Sequence, residues 1–175
     1  MNILLSIHPE HAAKIYAGEK KIEFRTTIPR KYNLCEDIIF LYETAPICAV
    51  TGWIKIDSYI NINKIFNGKR EELKKDIIKN GCLTFEQIKD YKPNLQLWGW
   101  RIIDSYTWGR NEYITLFSAN EKPPQSWCYT NASIGGQALN FDHVLNKKSY
   151  EKMEKIKLYW ECYNKKLERK KMWGK

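Results

Sequence analysis

The first 25 residues constrain this chain more than any other stretch. "NILLSI" (Asn2–Ile7) is a short apolar run, too short for a helix, and reads as a buried strand. Pro9 then stands at a first helical position, and "PEHAAKIYAG" closes on Gly18. Proline just inside a helix and glycine just past its end is the expected asymmetry. The apolar face of that helix would be Ala12, Ile15 and Tyr16. Gly18 can take positive φ and turn the chain sharply. Beyond it Lys21, Glu23 and Arg25 alternate with Ile22 and Phe24, a period of two. This predicts a half-buried strand whose polar side faces out, and so a strand–helix–turn–strand opening.

The rest of the chain adds strands before helices. "DIIFLYET" (Asp37–Thr44) and "CAVTGWIKIDSYI" (Cys48–Ile60) read as strands joined by a turn at Ala45-Pro46. "EELKKDIIKNG" places Leu73, Ile77 and Ile78 on one helical face and stops at Gly81, and Thr84 with Gln87 forms a capping box. "LWGWRIIDSYTW" returns to strand character with Trp98, Trp100 and Ile102 on one side. "PPQSWCY" (Pro123–Tyr129) is expected to close the domain as an extended edge. This order predicts an α+β fold, a small and mainly antiparallel sheet or barrel with flanking helices, over residues 1–130. Residues 131–147, with Gly135-Gly136, read as a linker or loop. Residues 148–172 read as a helix with one apolar stripe, Tyr150 to Leu167, and Lys148, Lys152, Lys155, Lys166 and Lys170 opposite.

Charge divides along the same boundary. Of the formal +9, residues 147–175 carry 11 Lys/Arg against 4 Glu, and the remainder carries 18 against 16. A basic segment attracts polyanions, nucleic acid first among them in a cytosol, although an exposed soluble helix face carries such charge too. No apolar run approaches the roughly 18 residues that span a bilayer, and "MNILLSIHPEH" lacks the features of a secretory signal. The five cysteines are odd in number and lack a C-x-x-C pair, as reduced thiols would be. A cytoplasmic location, no cofactor, no metal site and no membrane partner are the expectations.

Gly18-x-Lys20-x-x-Glu23-x-Arg25 resembles the G-x-K-x-x-E-x-R signature of the ASCH family, within the PUA-like superfamily of small β-barrels. "LLSIHPEHAAKIYAGEKKIEFR" is similar to the whole opening of that family, and "PPQSWCY" to its closing segment in bacterial and archaeal members. The likeness covers about residues 1–130. It implies a barrel with a polar cleft beside the first helix, and recognition of RNA or of a single modified base. Some branches of the family look enzymatic: one removes an acyl group from an acylated cytidine, and others are linked to RNA cleavage. In the amidohydrolase branch the position of Glu23 is a nucleophilic threonine, activated by the lysine that matches Lys20. That hydroxyl is absent here, which weakens a nucleophilic mechanism. Strand alternation puts Thr27, not Thr26, on the face of Glu23, and the branch's further glutamate could match Glu71, Glu72 or Glu86.

The candidate nucleic-acid-binding residues are therefore Lys20, Lys21, Glu23, Arg25 and Trp127, with Lys152, Lys155, Lys166 and Lys170 supplying general phosphate attraction. Glu23 and Arg25 lie about 7 Å apart along one strand face. Glu23 can accept hydrogen bonds from the amine of a base, and Arg25 can pair with a phosphate. Lys20 and Glu23 are the candidate catalytic pair if the chain is instead a hydrolase of a modified nucleoside or of RNA. The competing reading is a structural ion pair across Lys20, Glu23 and Arg25. Trp98 and Trp100 read as core, while Trp127 is the better base-stacking candidate. His8 and His11 lack the carboxylate partners a metal site needs. The apolar stripe of the last helix would serve self-packing or a homo-oligomer alike.

Overall fold

A computed structural model describes residues 1–91 and 95–133. Six strands, β1 (Ile3–Ile7), β2 (Ile22–Arg25), β3 (Ile39–Glu43), β4 (Ala49–Asn61), β5 (Trp98–Glu112) and β6 (Trp127–Tyr129), form one sheet in the order β2-β5-β4-β3-β1-β6. Every neighbouring pair is antiparallel except β1 and β3. The predicted opening is present: α1 (Pro9–Tyr16) follows β1 with Pro9 in its first turn, and Gly18 takes φ +72° before the chain enters β2. Ala12 and Ile15 are buried, as the periodicity requires.

β1 is buried throughout, and apolar at every position but Ser6, because both its faces are covered. Ile3, Leu5 and Ile7 pack with Ala12 and Ile15 of α1, and with Ile39, Leu41, Ile54, Ile56 and Trp100, inside the curl of the sheet. Leu4 points the other way, against Phe40, Val50 and Phe117, under a 3-10 turn at Ile114–Leu116. A third cluster lies behind β2. There Ile22 and Phe24 meet the apolar faces of α2 (Ile62–Phe66), α3 (Glu71–Gly81) and α4 (Phe85–Lys89). The capping box at Thr84 and Gln87 opens α4, as its sequence signature predicts.

Two elements differ from their sequence reading. β5 runs on to Glu112 because its ladder with β4 continues as far as Val50–Glu112, absorbing bulges at Val50/Gly52 and farther along. Gly109, at φ +67°, and Asn111 fall inside the first of these irregularities, between Thr107, which pairs with Gly52, and Glu112, which pairs with Val50, so the pairing resumes beyond them. The short α2 is capped by the Asn61 side chain, which accepts from the Lys64 amide, a signal that the strand reading of the preceding residues conceals.

The sheet is a curled half-barrel. No ladder joins its edges β2 and β6 among the described residues, yet they lie close together. In a flat sheet β2 and β1 would stand about 19 Å apart, four strand spacings. Here the Arg25 guanidinium of β2 donates to the Ser6 carbonyl of β1 at 2.8 Å and to the Ser126 hydroxyl, next to β6, at 3.3 Å. The Trp127 indole N–H of β6 donates to the Thr27 hydroxyl just past β2, at 2.9 Å. Side chains, not backbone, bridge this seam.

Candidate functional site

The opening motif lies along the seam. After the turn at Gly18, the Glu19 and Lys20 amides both donate to the Lys14 carbonyl, which folds the chain back beneath α1. The Lys20 side chain is carried inward and is only 2% exposed. Its ammonium donates to the Gly81 carbonyl at the C-terminal end of α3 (2.8 Å), stands 3.4 Å from Glu23 Oε2, and lies over the Phe24 ring at 5.3 Å. Carbonyls at a helix C-terminus carry partial negative charge and suit a cation. Lys21, just before β2, is exposed.

Glu23 is the centre of the cluster. Its Oε1 pairs with Arg25 Nη2 at 2.8 Å and its Oε2 faces Lys20. The predicted outward polar face is therefore corrected: the side of β2 that bears Glu23 and Arg25 turns into the curl, and Glu23 is buried. A period of two shows which side chains share a face; it does not show which face the sheet will close over. The ion-pair reading and the site reading describe the same three residues. Two cations surround one carboxylate, a net formal charge of +1 in a largely buried place.

Aromatic rings stand next to these charges. Across the β2–β5 ladder Glu23 is opposite Trp100, and across β5–β4 Trp100 is opposite Tyr59, so the three share one row. Trp100, fully buried as the sequence predicts, meets Tyr59 edge-on at 6.0 Å and Trp127 at 6.2 Å; Trp127 in turn meets Tyr129 at 5.5 Å. Trp127 is half-buried, and its indole N–H is already engaged at the seam. The Tyr91 hydroxyl donates to the Phe24 carbonyl, and burial pushes that phenol up.

Sequence reasoning missed several members. His11, one turn into α1, comes near enough to Lys20 and Glu23 to feel both charges. Burial and the Lys20 ammonium depress its pKa, which keeps the imidazole neutral at pH 7, and its buried Nδ1 has no hydrogen-bond partner among the described residues. Ser6 and Ser126 hold Arg25 across the seam, and Tyr59 extends the aromatic row. Only contacts between distant segments reveal these, apart from Ser126, which adjoins Trp127 in sequence. Glu71, Glu72 and Glu86 lie on exposed helix surface. Lys152, Lys155, Lys166 and Lys170, with the predicted helix and linker, lie outside the described residues. Among the described residues no cluster of three His, Cys, Asp or Glu could hold a metal ion, and no helix is long and apolar enough to cross a membrane.

No family model matches the sequence, and no curated protein matches it. Solved structures do match. A crystal structure of an ASCH protein from Zymomonas mobilis, a serine-to-alanine mutant, is similar at 21% identity and a TM-score of 0.58, covering 89% of this chain and 95% of that one. The structure titled simply as that ASCH protein gives a TM-score of 0.56, with 88% and 94% covered, and a tyrosine-to-phenylalanine mutant gives 0.55. The chain has the ASCH-domain fold.

Proposed function

We propose that this chain recognises RNA, single-stranded nucleic acid or a modified nucleotide at the seam between β2 and β6. The observation that carries this reading is the buried Lys20–Glu23–Arg25 cluster, one positive charge in excess, beside half-buried aromatic rings. A buried surplus cation favours a ligand bearing negative charge, and the rings offer faces to an unpaired base. Lys21 is exposed near the turn, and the lysines predicted at 152, 155, 166 and 170 would add non-specific phosphate attraction. Membership of the ASCH family, a cytoplasmic location and self-association through the last helix belong to the same proposal. Fluorescence polarisation with a short labelled single-stranded RNA, over a salt series, tests it. Affinity should fall linearly in log–log form with salt, and Arg25→Lys, which keeps the charge but loses the fork, should weaken binding. Absence of binding at low salt overturns the proposal.

A second reading, hydrolysis of a modified nucleoside or of RNA, draws support from His11. A neutral imidazole with a free buried nitrogen beside Lys20 and Glu23 is equipped to take a proton from water. Turnover of acylated nucleosides that His11→Ala abolishes would favour it over simple recognition.

A further inference from the structure

Four of the five buried side-chain atoms without a hydrogen-bond partner among the described residues come from the neighbourhood of the seam: Arg25 Nε, Trp100 Nε1, Tyr59 Oη and His11 Nδ1. Such concentration is informative, because an unpaired buried polar group is costly and folded proteins leave few of them. Three of the four have a proton to give, while His11 Nδ1, on a neutral imidazole, donates or accepts according to its tautomer. The guanidinium Nε–H and the indole N–H can only donate. Tyr59 can donate or accept, but burial, with Tyr129 nearby, pushes its phenol up to about 12, so it retains its proton at neutral pH. The neighbouring acceptor, Glu23, already has one oxygen against Lys20 and the other against Arg25. Trp100, which bears one of the free donors, is completely buried, and it lies between Tyr59 and Glu23 in the same cross-strand row.

Resting on the nucleic-acid reading above, we infer that this site meets its base through donors aimed at carbonyl oxygens, and so prefers the keto-edged bases, uracil and guanine, over the amino-edged cytosine and adenine. Glu23 is then a positioning residue that orients Arg25, not the group that reads an exocyclic amine. Uracil has two carbonyl oxygens for the free N–H and O–H groups. Cytosine replaces one of them with an amine, which would face donors and leave one unpaired. A site built to hydrogen-bond a ligand group discriminates strongly against an analogue that lacks it.

The test is a competition of hexa-uridylate and hexa-cytidylate, identical in backbone charge, for the intact chain by fluorescence polarisation. Hexa-uridylate should bind about tenfold more tightly, the worth of one hydrogen bond of this kind. Tyr59→Phe and Trp100→Phe, which remove a donor and keep a ring, should each narrow that ratio with little change for hexa-cytidylate. Equal affinities that still depend on Arg25 would overturn the inference while leaving nucleic-acid recognition standing, since the phosphates would then be the acceptors. Tighter binding of hexa-cytidylate would overturn it in favour of Glu23 as the reader. Binding of neither would overturn the recognition reading itself.

Discussion

Glu23 and Glu43 are both buried glutamates of the same curled sheet, and they are handled in opposite ways. Glu23 on β2 stands between two cations, Lys20 and Arg25. Glu43 on β3 is met by hydroxyls: Thr51 donates to its Oε1 at 2.7 Å, and the Tyr16 phenol of α1 lies 2.8 Å from that threonine oxygen. Burial raises the Glu43 carboxyl to about 7, against a smaller opposing effect of the Thr51 hydrogen bond, and it drives the Tyr16 phenol well above its ordinary range. A buried carboxyl offered only hydroxyls tends to keep its proton and becomes part of the core. One offered two cations anchors a polar cluster with one positive charge in excess. The contrast separates structural acid from candidate site.

Removing Glu23 should have the largest effect. Glu23→Ala leaves Lys20 and Arg25 buried together without their carboxylate and should cost about 3–5 kcal/mol, read by urea or thermal unfolding. A loss as small as that of a surface substitution would mean that water reaches the cluster freely. Glu43 should respond in the other direction. Its folded-state pKa is raised, so the stability it contributes is fully present below its ordinary pKa near 4.5 and is lost as pH rises toward and through about 7. The loss should amount to roughly 3 kcal/mol, and Glu43→Gln, which imitates the protonated acid, should abolish it and make the protein relatively more stable at pH 8. A variant with the same pH profile as the parent would dissolve the contrast.

Lys20→Met sharpens the comparison, because it leaves Glu23 balanced by Arg25 and removes one hydrogen bond to Gly81. It should cost about 1–3 kcal/mol, less than Glu23→Ala, and should reduce RNA affinity by cancelling the surplus charge. The smallest effect should come from Asp57→Asn. Arg101, one step along the β2–β5 ladder from Trp100, forms a two-bond pair with Asp57 on the exposed face, where solvent screens it. Its melting temperature should stay close to that of the parent, and RNA binding should not change.

Much of the fold was legible in the sequence. Pro9, Gly18, the period-two charges of 21–25 and the capping box at Thr84 each act within a few residues, and the structure contains each of the elements they mark. The core role of Trp100 was legible too, from its apolar strand neighbours. The extent of β5 was not, since β4 pairs with it again at Glu112, beyond the bulged stretch that holds Gly109 and Asn111.

The sequence by itself determined that Lys20, Glu23 and Arg25 come within reach of one another, because a turn and a short strand leave them no alternative. Only the tertiary structure decided that they are buried. Local spacing sets which side chains share a face, but solvation depends on what the rest of the chain lays over that face. Here the sheet curls until β2 stands against β1 and β6, and residues about a hundred positions away, Ser126 and Trp127, close over the motif. That closure turns a charged strand, readable as solvated surface, into a buried cluster with unmatched donors.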